Sequence, residues 1–196
     1  MHFAFVQVKN TGGTVMKPIS EFKGEYFFLS NFYSADVTYR GITYKNNEAA
    51  FQAMKCPEVA SSFSSLNPSE AKRLGRRVKL RPDWEAVKED VMRRVCFAKF
   101  FQNYDLMERL LATAPAELIE GNDWGDKEWG VCDGEGNNKL GKILMEIREF
   151  FAQDRPRKWA QAFDKSISKS EERRIRACAD ELFDEWLEKY LNQSHL

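Results

Sequence analysis

Apolar positions recur at helical spacing in several stretches of the chain, and shorter alternating runs between them read as strands. The first helical stretch is NEAAFQAMK, Asn47 to Lys55. Asn46 or Asn47 is placed to cap it, Ala49, Ala50 and Ala53 favour it, and Pro57 stops it. Within it Glu48, Gln52 and Lys55 fall at i, i+4 and i+7 with Phe51 beside them, while Ala50, Ala53 and Met54 turn toward core. NPSEAKRLG opens a second helix at Asn67, Pro68 and Glu70 and ends it at Gly75. Asp83 is expected to cap a long helix from Trp84 to about Phe101, with Val87, Val91, Val95 and Ala98 as its core stripe and Lys88, Met92 and Lys99 on an adjoining stripe. Leu106, Met107, Leu110 and Leu111 mark another helix, stopped before Pro115, and Leu140, Leu144, Ile147 and Phe151 mark the next. Beyond Arg155-Pro156 a final helix carries Ile175, Ala179, Leu182, Trp186 and Tyr190 on one face, which must be covered by the main domain or by a partner.

The period-two runs are shorter. Phe3 to Lys9 alternates as a strand before a turn at Thr11-Gly12-Gly13, and Tyr26 to Leu29 reads as a buried strand. Val37 to Tyr44 reads as a hairpin turning near Arg40-Gly41, and Glu117 to Glu120 as a short strand.

Composition narrows the class. The 196 residues suit one domain with an appended piece, and 43% hydrophobic and 13% aromatic residues exclude a disordered chain. Lys+Arg 30 balances Asp+Glu 30, so no global field favours high-affinity nonspecific nucleic-acid binding or an anionic membrane. Any anionic ligand must be met by a local pocket. No apolar run approaches the ~20 residues of a membrane span, and the N-terminus MHFAFVQVKNTGG lacks a secretory pattern, so the expected location is cytoplasmic, with nuclear as the second choice.

The residues missing from the interior matter as much. Cys56, Cys96, Cys132 and Cys178 are scattered without CxxC spacing and read as reduced thiols. His2 and His195 lie at the termini, which leaves no interior histidine for a Ser-His or Cys-His nucleophile, a histidine-bearing zinc site or a histidine base. The chemistry is therefore expected to use carboxylates, lysines or tyrosines, with no metal and no cofactor. GNDWGDKEWGVCDGEGNNKLG, Gly121 to Gly141, joins glycines to tryptophans and carboxylates, a combination suited to a shaped loop against a flat ligand. It fits neither an EF-hand, a P-loop nor a Rossmann turn. The basic loop RRVKLRPDW offers Arg76, Arg77, Lys79 and Arg81 either as a phosphate grip or as a solvated surface.

LSNFY at Leu29, NEAAFQAMK at Asn47, AKRLGR at Ala71, RPDWEAVKEDVM at Arg81, AKF at Ala98 and WGDKEWGVCDGEGNNKLGKILMEIR at Trp124 occur in an order that resembles the NADAR (YbiA-like) family. The likeness runs from about Ile19 to Phe151, with Cys132 standing where many relatives have glycine. It implies a compact, mostly helical α+β domain with a small antiparallel sheet over residues 19–154; the extension over 1–18 and the helical appendage over 155–196 fall outside the likeness and are read from the residues alone. It also implies N-glycosidase chemistry, the hydrolysis of a bond between ribose C1′ and a nitrogen.

Two substrate classes come with the resemblance: ADP-ribose on guanine in nucleic acid, and phosphoribosyl-aminopyrimidine intermediates of riboflavin biosynthesis. Both are anionic ribosides with a flat base. Breaking such a bond builds positive charge on the anomeric carbon and negative charge on the base, so a carboxylate and a donor are wanted. Glu48, expected to stay ionised near its helix N-terminus, suits the cation or the activation of water. Asp126 is expected to orient ribose hydroxyls or water, and Lys55 to pair with Glu48 or to attack C1′ and form a Schiff base. Asn31, Phe51, Gln52, Trp124 and Asn138 are expected to contact base or ribose, Trp84 and Trp129 to stack on the base, and Arg77, Lys88 and Lys99 to meet phosphate. The competing reading is a non-catalytic module that holds ADP-ribose or NAD; it would need the rings and cations but not Glu48, so turnover separates the two.

Overall fold

The computed structural model describes residues 16–153 and, beyond them, Ser168, Ser170, Arg174, Glu181, Phe183, Asp184 and Glu185. Ser34–Tyr39 (β1) and Ile42–Asn46 (β2) pair antiparallel, with Val37 opposite Tyr44 and both fully buried. Arg40 and Gly41 close the hairpin at φ 49° and 77°, the left-handed pair that a two-residue turn between right-twisted strands demands. β2 runs straight into helix α1 (Asn47–Ala53), capped by Asn46, whose Oδ1 accepts the Ala49 amide at 2.8 Å. Helix α2 (Pro68–Gly75) opens with Asn67 and Glu70 in a reciprocal capping box, as its sequence predicts.

Helix α3 (Trp84–Gln102) runs through the centre of the fold. From Val95 to Gln102 every residue is buried, because β1, α1, α4 (Tyr104–Ala112) and α5 (Lys139–Gln153) surround that half. Phe97 stacks on Phe101 and Phe151 at 5.7 and 5.3 Å and meets Phe183 edge-on at 5.4 Å. Each ring fully buried in this way contributes on the order of 2–3 kcal/mol. At the end of α3 the Gln102 side chain both donates to and accepts from the Thr38 backbone at 2.7 Å, tying the helix to the open edge of β1.

The arrangement is α+β, mostly helical, with one small antiparallel hairpin, as expected. No helix among the described residues is long and apolar enough to cross a membrane. Three local readings differ. Gly24–Leu29 is a 3₁₀ helix and not a buried strand: Tyr26 and Ser30 bond back three residues, which buries Phe28 and Leu29 but turns Phe27 outward, 41% exposed. The strand expected at Glu117 to Glu120 lies later, where Gly121–Asn122 (β3) pairs in parallel with Val131–Cys132 (β4). Asp83 stands at the cap position of α3, but its carboxylate accepts from Arg81, with Nη2 to Oδ2 at 2.8 Å, and from no helix amide.

The strand expected at Phe3 to Lys9 lies outside the described residues, as does most of the final helix. Of that helix, Phe183 is buried against Phe97 with the Arg94 guanidinium 4.6 Å from its ring, and Asp184 pairs with Arg94 at 2.8 Å. Cys56, Cys96 and Cys132 are free thiols, and Cys178 lies outside the described residues.

Candidate active site

A cavity of about 600 Å³ opens between the Gly24–Leu29 turn, α1, α2, the first half of α3 and the glycine-rich loop. Its back wall is α1, all seven residues of which are buried. The helix ends at Ala53, short of Lys55, yet Lys55 still lines the cavity together with Glu48, Phe51 and Gln52. Glu48 is 7% exposed, and its Oε1 accepts from Gln52 Nε2 at 2.8 Å. Gln52 in turn lies over Gly75, where any Cβ would run into its Oε1, so glycine there serves close approach as well as helix termination.

A buried polar knot holds this wall to the loop that follows the 3₁₀ turn. The Glu48 amide donates to the Asn31 carbonyl at 3.0 Å, Asn47 Nδ2 donates to Asn31 Oδ1 at 2.8 Å, and Asn31 Nδ2 reaches Met92 Sδ at 3.3 Å. Asn31 lines the cavity, as expected of a ligand contact, but its carbonyl already braces the Glu48 amide and its side chain is bonded to Asn47 and Met92.

Lys99 is a correction. Its side chain is fully buried and Nζ donates to the carbonyls of Phe28 and Ser30 at 2.7 and 2.8 Å, so it pins the loop from beneath and does not line the cavity. Burial pulls its ammonium down to about 8. Arg77 is a second correction: it is exposed on the turn after α2 and does not line the cavity. Asn138 is a third. It is buried at φ 49°, its Oδ1 accepts the Glu120 amide at 3.0 Å and its Nδ2 donates to the Leu118 carbonyl at 2.9 Å, so it supports the site from behind.

Phe51, Trp84 and Trp129 form an aromatic side, with Phe51 5.2 Å from Trp84 and 5.5 Å from Trp129. Trp84 is 5% exposed, whereas Trp124, 58% exposed, stands at the rim. Asp126 lines the cavity with one oxygen committed: Oδ1 accepts the amides of Glu128 and Trp129 at 3.0 and 2.9 Å, while Oδ2 has no protein partner among the described residues. Lys88 lies between Glu85 and Glu128, 2.7 Å from each, so its charge is already met. The Glu128 contact leads in raising its ammonium. Lys55 has no carboxylate within ion-pair distance among the described residues, Glu48 included; its Nζ sits 5.7 Å from the Trp84 ring, and burial lowers its ammonium.

Among the lining residues not singled out from the sequence are Lys72 and Glu120. Lys72, inside the AKRLGR stretch, reaches the cavity from α2 with its Nζ 5.7 Å from the Phe32 ring. Glu120 closes the run before the glycine loop and reads there as a strand end, yet it lines the cavity, and its Oε2 is buried with no hydrogen-bond partner among the described residues. A carboxylate ending an apolar run just before glycine was the only available signal.

A family model for the NADAR domain matches residues 19–152. The chain belongs to the NADAR family. It is 43% identical over 136 residues to the N-glycosidase YbiA of Escherichia coli, covering 65% of this chain and 83% of that protein. It is 33% identical over 133 residues to an N-glycosidase of Nostoc punctiforme, covering 63% and 85%. A riboflavin biosynthesis protein of Vibrio vulnificus is 36% identical over 143 residues, 70% of this chain but 39% of that longer protein. The solution structure of Escherichia coli YbiA superposes with a TM-score of 0.65 at 36% identity, covering 77% of this chain and 94% of that one. N-glycosidase is the activity class of this NADAR chain.

For such an enzyme the ionisation of the carboxylates decides what each can do. Burial raises the Glu48 carboxyl, opposed by the Gln52 hydrogen bond, Lys72 and Lys55, so the helix N-terminus does not dominate as the sequence suggested. Glu120 is pushed up to about 7, first by burial and then by Asp126. Folded Glu120 therefore holds its proton up to about 7 while the unfolded group loses it near 4.5, and the stability this provides is full below 4.5 and lost as pH rises to about 7. The melting temperature of Glu120→Gln relative to wild type should accordingly climb between pH 4.5 and pH 8. A difference that stays flat across that window would mean Glu120 titrates normally.

Proposed function

We propose that this NADAR N-glycosidase hydrolyses the C1′–N bond of an anionic riboside carrying a flat base, first among them ADP-ribose attached to guanine in nucleic acid. The observation that carries this reading is the convergence of Glu48, Glu120 and Asp126 with the ammoniums of Lys55 and Lys72 on one ring-walled cavity. The rings of Phe51 and Trp129 suit a flat base. Lys55 and Lys72 make no carboxylate pair among the described residues, which leaves their charge for phosphate. Phe27 and Trp124, exposed at the rim, suit stacking against bases next to a target that has left the duplex or is already single-stranded.

Glu48 is assigned to the anomeric carbon, where its charge stabilises the developing cation and its oxygen can take a proton from water. The free Oδ2 of Asp126 is assigned to a ribose hydroxyl. Lys55 is assigned an electrostatic role toward phosphate and Glu48. The name of the Vibrio vulnificus relative favours a second substrate, a phosphoribosyl-aminopyrimidine, which shares the same chemistry.

Two incubations separate the substrates. Release of ADP-ribose from an ADP-ribosylated single-stranded oligonucleotide is the expected result, and cleavage confined to the aminopyrimidine riboside would replace the first reading with the second. Borohydride added during turnover tests Lys55. No sugar adduct is expected on wild type, and Lys55→Ala should lose about tenfold in turnover. An adduct on wild type that vanishes in Lys55→Ala would instead make the lysine the nucleophile.

A further inference from the structure

Departure of the base requires a proton donor as well as a carboxylate for the cation, and the sequence supplies no interior histidine for the task. Tyr44 is buried beneath the hairpin and does not line the cavity, which leaves lysines and carboxylates as the acids present there. Lys88 is held by two carboxylates and Lys99 is sealed below the loop by two carbonyls.

Glu120 is built differently from the other lining carboxylates. Its main chain is clamped on both sides, the amide by Asn138 Oδ1 at 3.0 Å and the carbonyl by the Val131 amide at 2.9 Å, so the side chain is aimed from a fixed point. The residue lines the cavity, and its Oε2 is buried with no hydrogen-bond partner among the described residues. An oxygen buried without a donor is costly when the group is ionised, so the carboxyl is favoured in its acid form, a proton donor on a side chain that lines the cavity. Glu48, by contrast, accepts from Gln52 and has Lys72 and Lys55 as nearby cations. Asp126 Oδ1 already accepts two amides. Burial raises both Glu48 and Glu120, but Glu48 has the Gln52 donor and the nearby Lys72 and Lys55 to hold its anion, whereas no donor among the described residues meets Glu120 Oε2.

We propose that Glu120 is the general acid of the reaction, delivering a proton to the departing base. This rests on the N-glycosidic substrate reading above. As the C1′–N bond breaks, its electron pair moves onto the base, and the Glu120 carboxyl proton transfers to the base nitrogen that takes up that charge. Water then adds to C1′ and gives its proton to the Glu48 carboxylate. Glu48 ends protonated and Glu120 ionised, and exchange with solvent restores both. The groups facing Glu120 support the assignment: Asp126 from its own loop opposes ionisation, while Lys99 from α3 and Lys72 from α2 act weakly against burial and leave the group near neutrality, at about 7. Glu48 lines the same cavity from α1.

The test uses the full chain and two leaving groups. One substrate is the nitrogen-linked riboside that wild type turns over; the other is 4-nitrophenyl ribofuranoside 5-phosphate, whose nitrophenolate leaves without needing a proton. Glu120→Gln should lower turnover of the first by about 100-fold and of the second by less than about fivefold. On the nitrogen-linked riboside, wild-type turnover should fall as pH rises through about 7, and this limb should be missing from the residual activity of the variant. Equal losses on both substrates, or no loss on either, would overturn the role. Wild type supplies a check that needs no folded variant: a nitrogen-linked profile without an alkaline limb near 7 also overturns it, even if the nitrophenyl compound is not accepted. If wild type cleaves neither the ADP-ribosyl nor the aminopyrimidine riboside, the substrate reading itself fails and the assignment of Glu120 falls with it.

Discussion

Glu48→Gln is expected to lower turnover by at least ~100-fold while ligand affinity and folding change little. Glutamine keeps the shape of the side chain and an acceptor for Gln52 Nε2, which now lies 2.8 Å from Glu48 Oε1. The backbone bond from residue 48 to the Asn31 carbonyl is untouched, so the polar knot that positions α1 persists. What disappears is a negative charge in a site 7% exposed, where water screens little and an opposing charge acts strongly. That charge is wanted as the ribosyl cation develops and is not wanted by the neutral sugar of the ground state. The loss should therefore appear in the chemical step and leave substrate affinity nearly as it was. Single-turnover rates and equilibrium binding measured on the same variant check this. Normal turnover by Glu48→Gln on a verified substrate would move the carboxylate role to Asp126 and its loop.

Lys99→Met should destabilise the protein by about 2–4 kcal/mol, the largest stability change expected of a single polar substitution here. Methionine fills the channel of the lysine stem but donates nothing. The Phe28 and Ser30 carbonyls, now 2.7 and 2.8 Å from Nζ, would each lose a charged donor in a place water does not reach. Activity should fall as well, because Ser30 adjoins Asn31 and Asn31 holds Glu48. The effect depends on pH with a definite sign. The folded ammonium releases its proton at about 8 and the unfolded one at 10.5, so between those values the unfolded chain binds more protons and wild type gains stability relative to the variant. Urea melts of both proteins at pH 7 and pH 10 should show the gap widening. A gap of less than about 1 kcal/mol at pH 7 would mean that the two carbonyls find other donors when the lysine is lost.

The elements were legible because their signals are local. Asn67, Pro68 and Glu70 mark a helix start by hydrogen bonds made within four residues, and Arg40-Gly41 marks a hairpin by its own backbone angles. Glu48 stood out for the same reason, as a carboxylate on a short capped helix beside an aromatic and a lysine. The signals failed where period was ambiguous. Tyr26 to Leu29 is too short to separate a strand from a 3₁₀ turn, and only packing against α3 decided which of its rings faced in.

The sequence by itself determined the secondary structure around the hairpin and α1 to α5, the class of side chains left for catalysis, and through its ordered stretches the family. Only the tertiary structure decided which charges are available. Lys88 and Lys99 stand on one stripe of α3, yet one is met by Glu85 and Glu128 while the other is closed in by the Phe28 and Ser30 carbonyls from a loop roughly seventy positions away in sequence. Glu120 and Asp126 share one stretch of chain, but Asp126 spends an oxygen on the turn that holds Trp129, and Glu120 is left with a buried oxygen that nothing satisfies. Whether a lysine or a carboxylate is spent or free depends on which distant carbonyls, amides and counter-charges are folded against it. That information belongs to contacts between segments, and no window of sequence contains it.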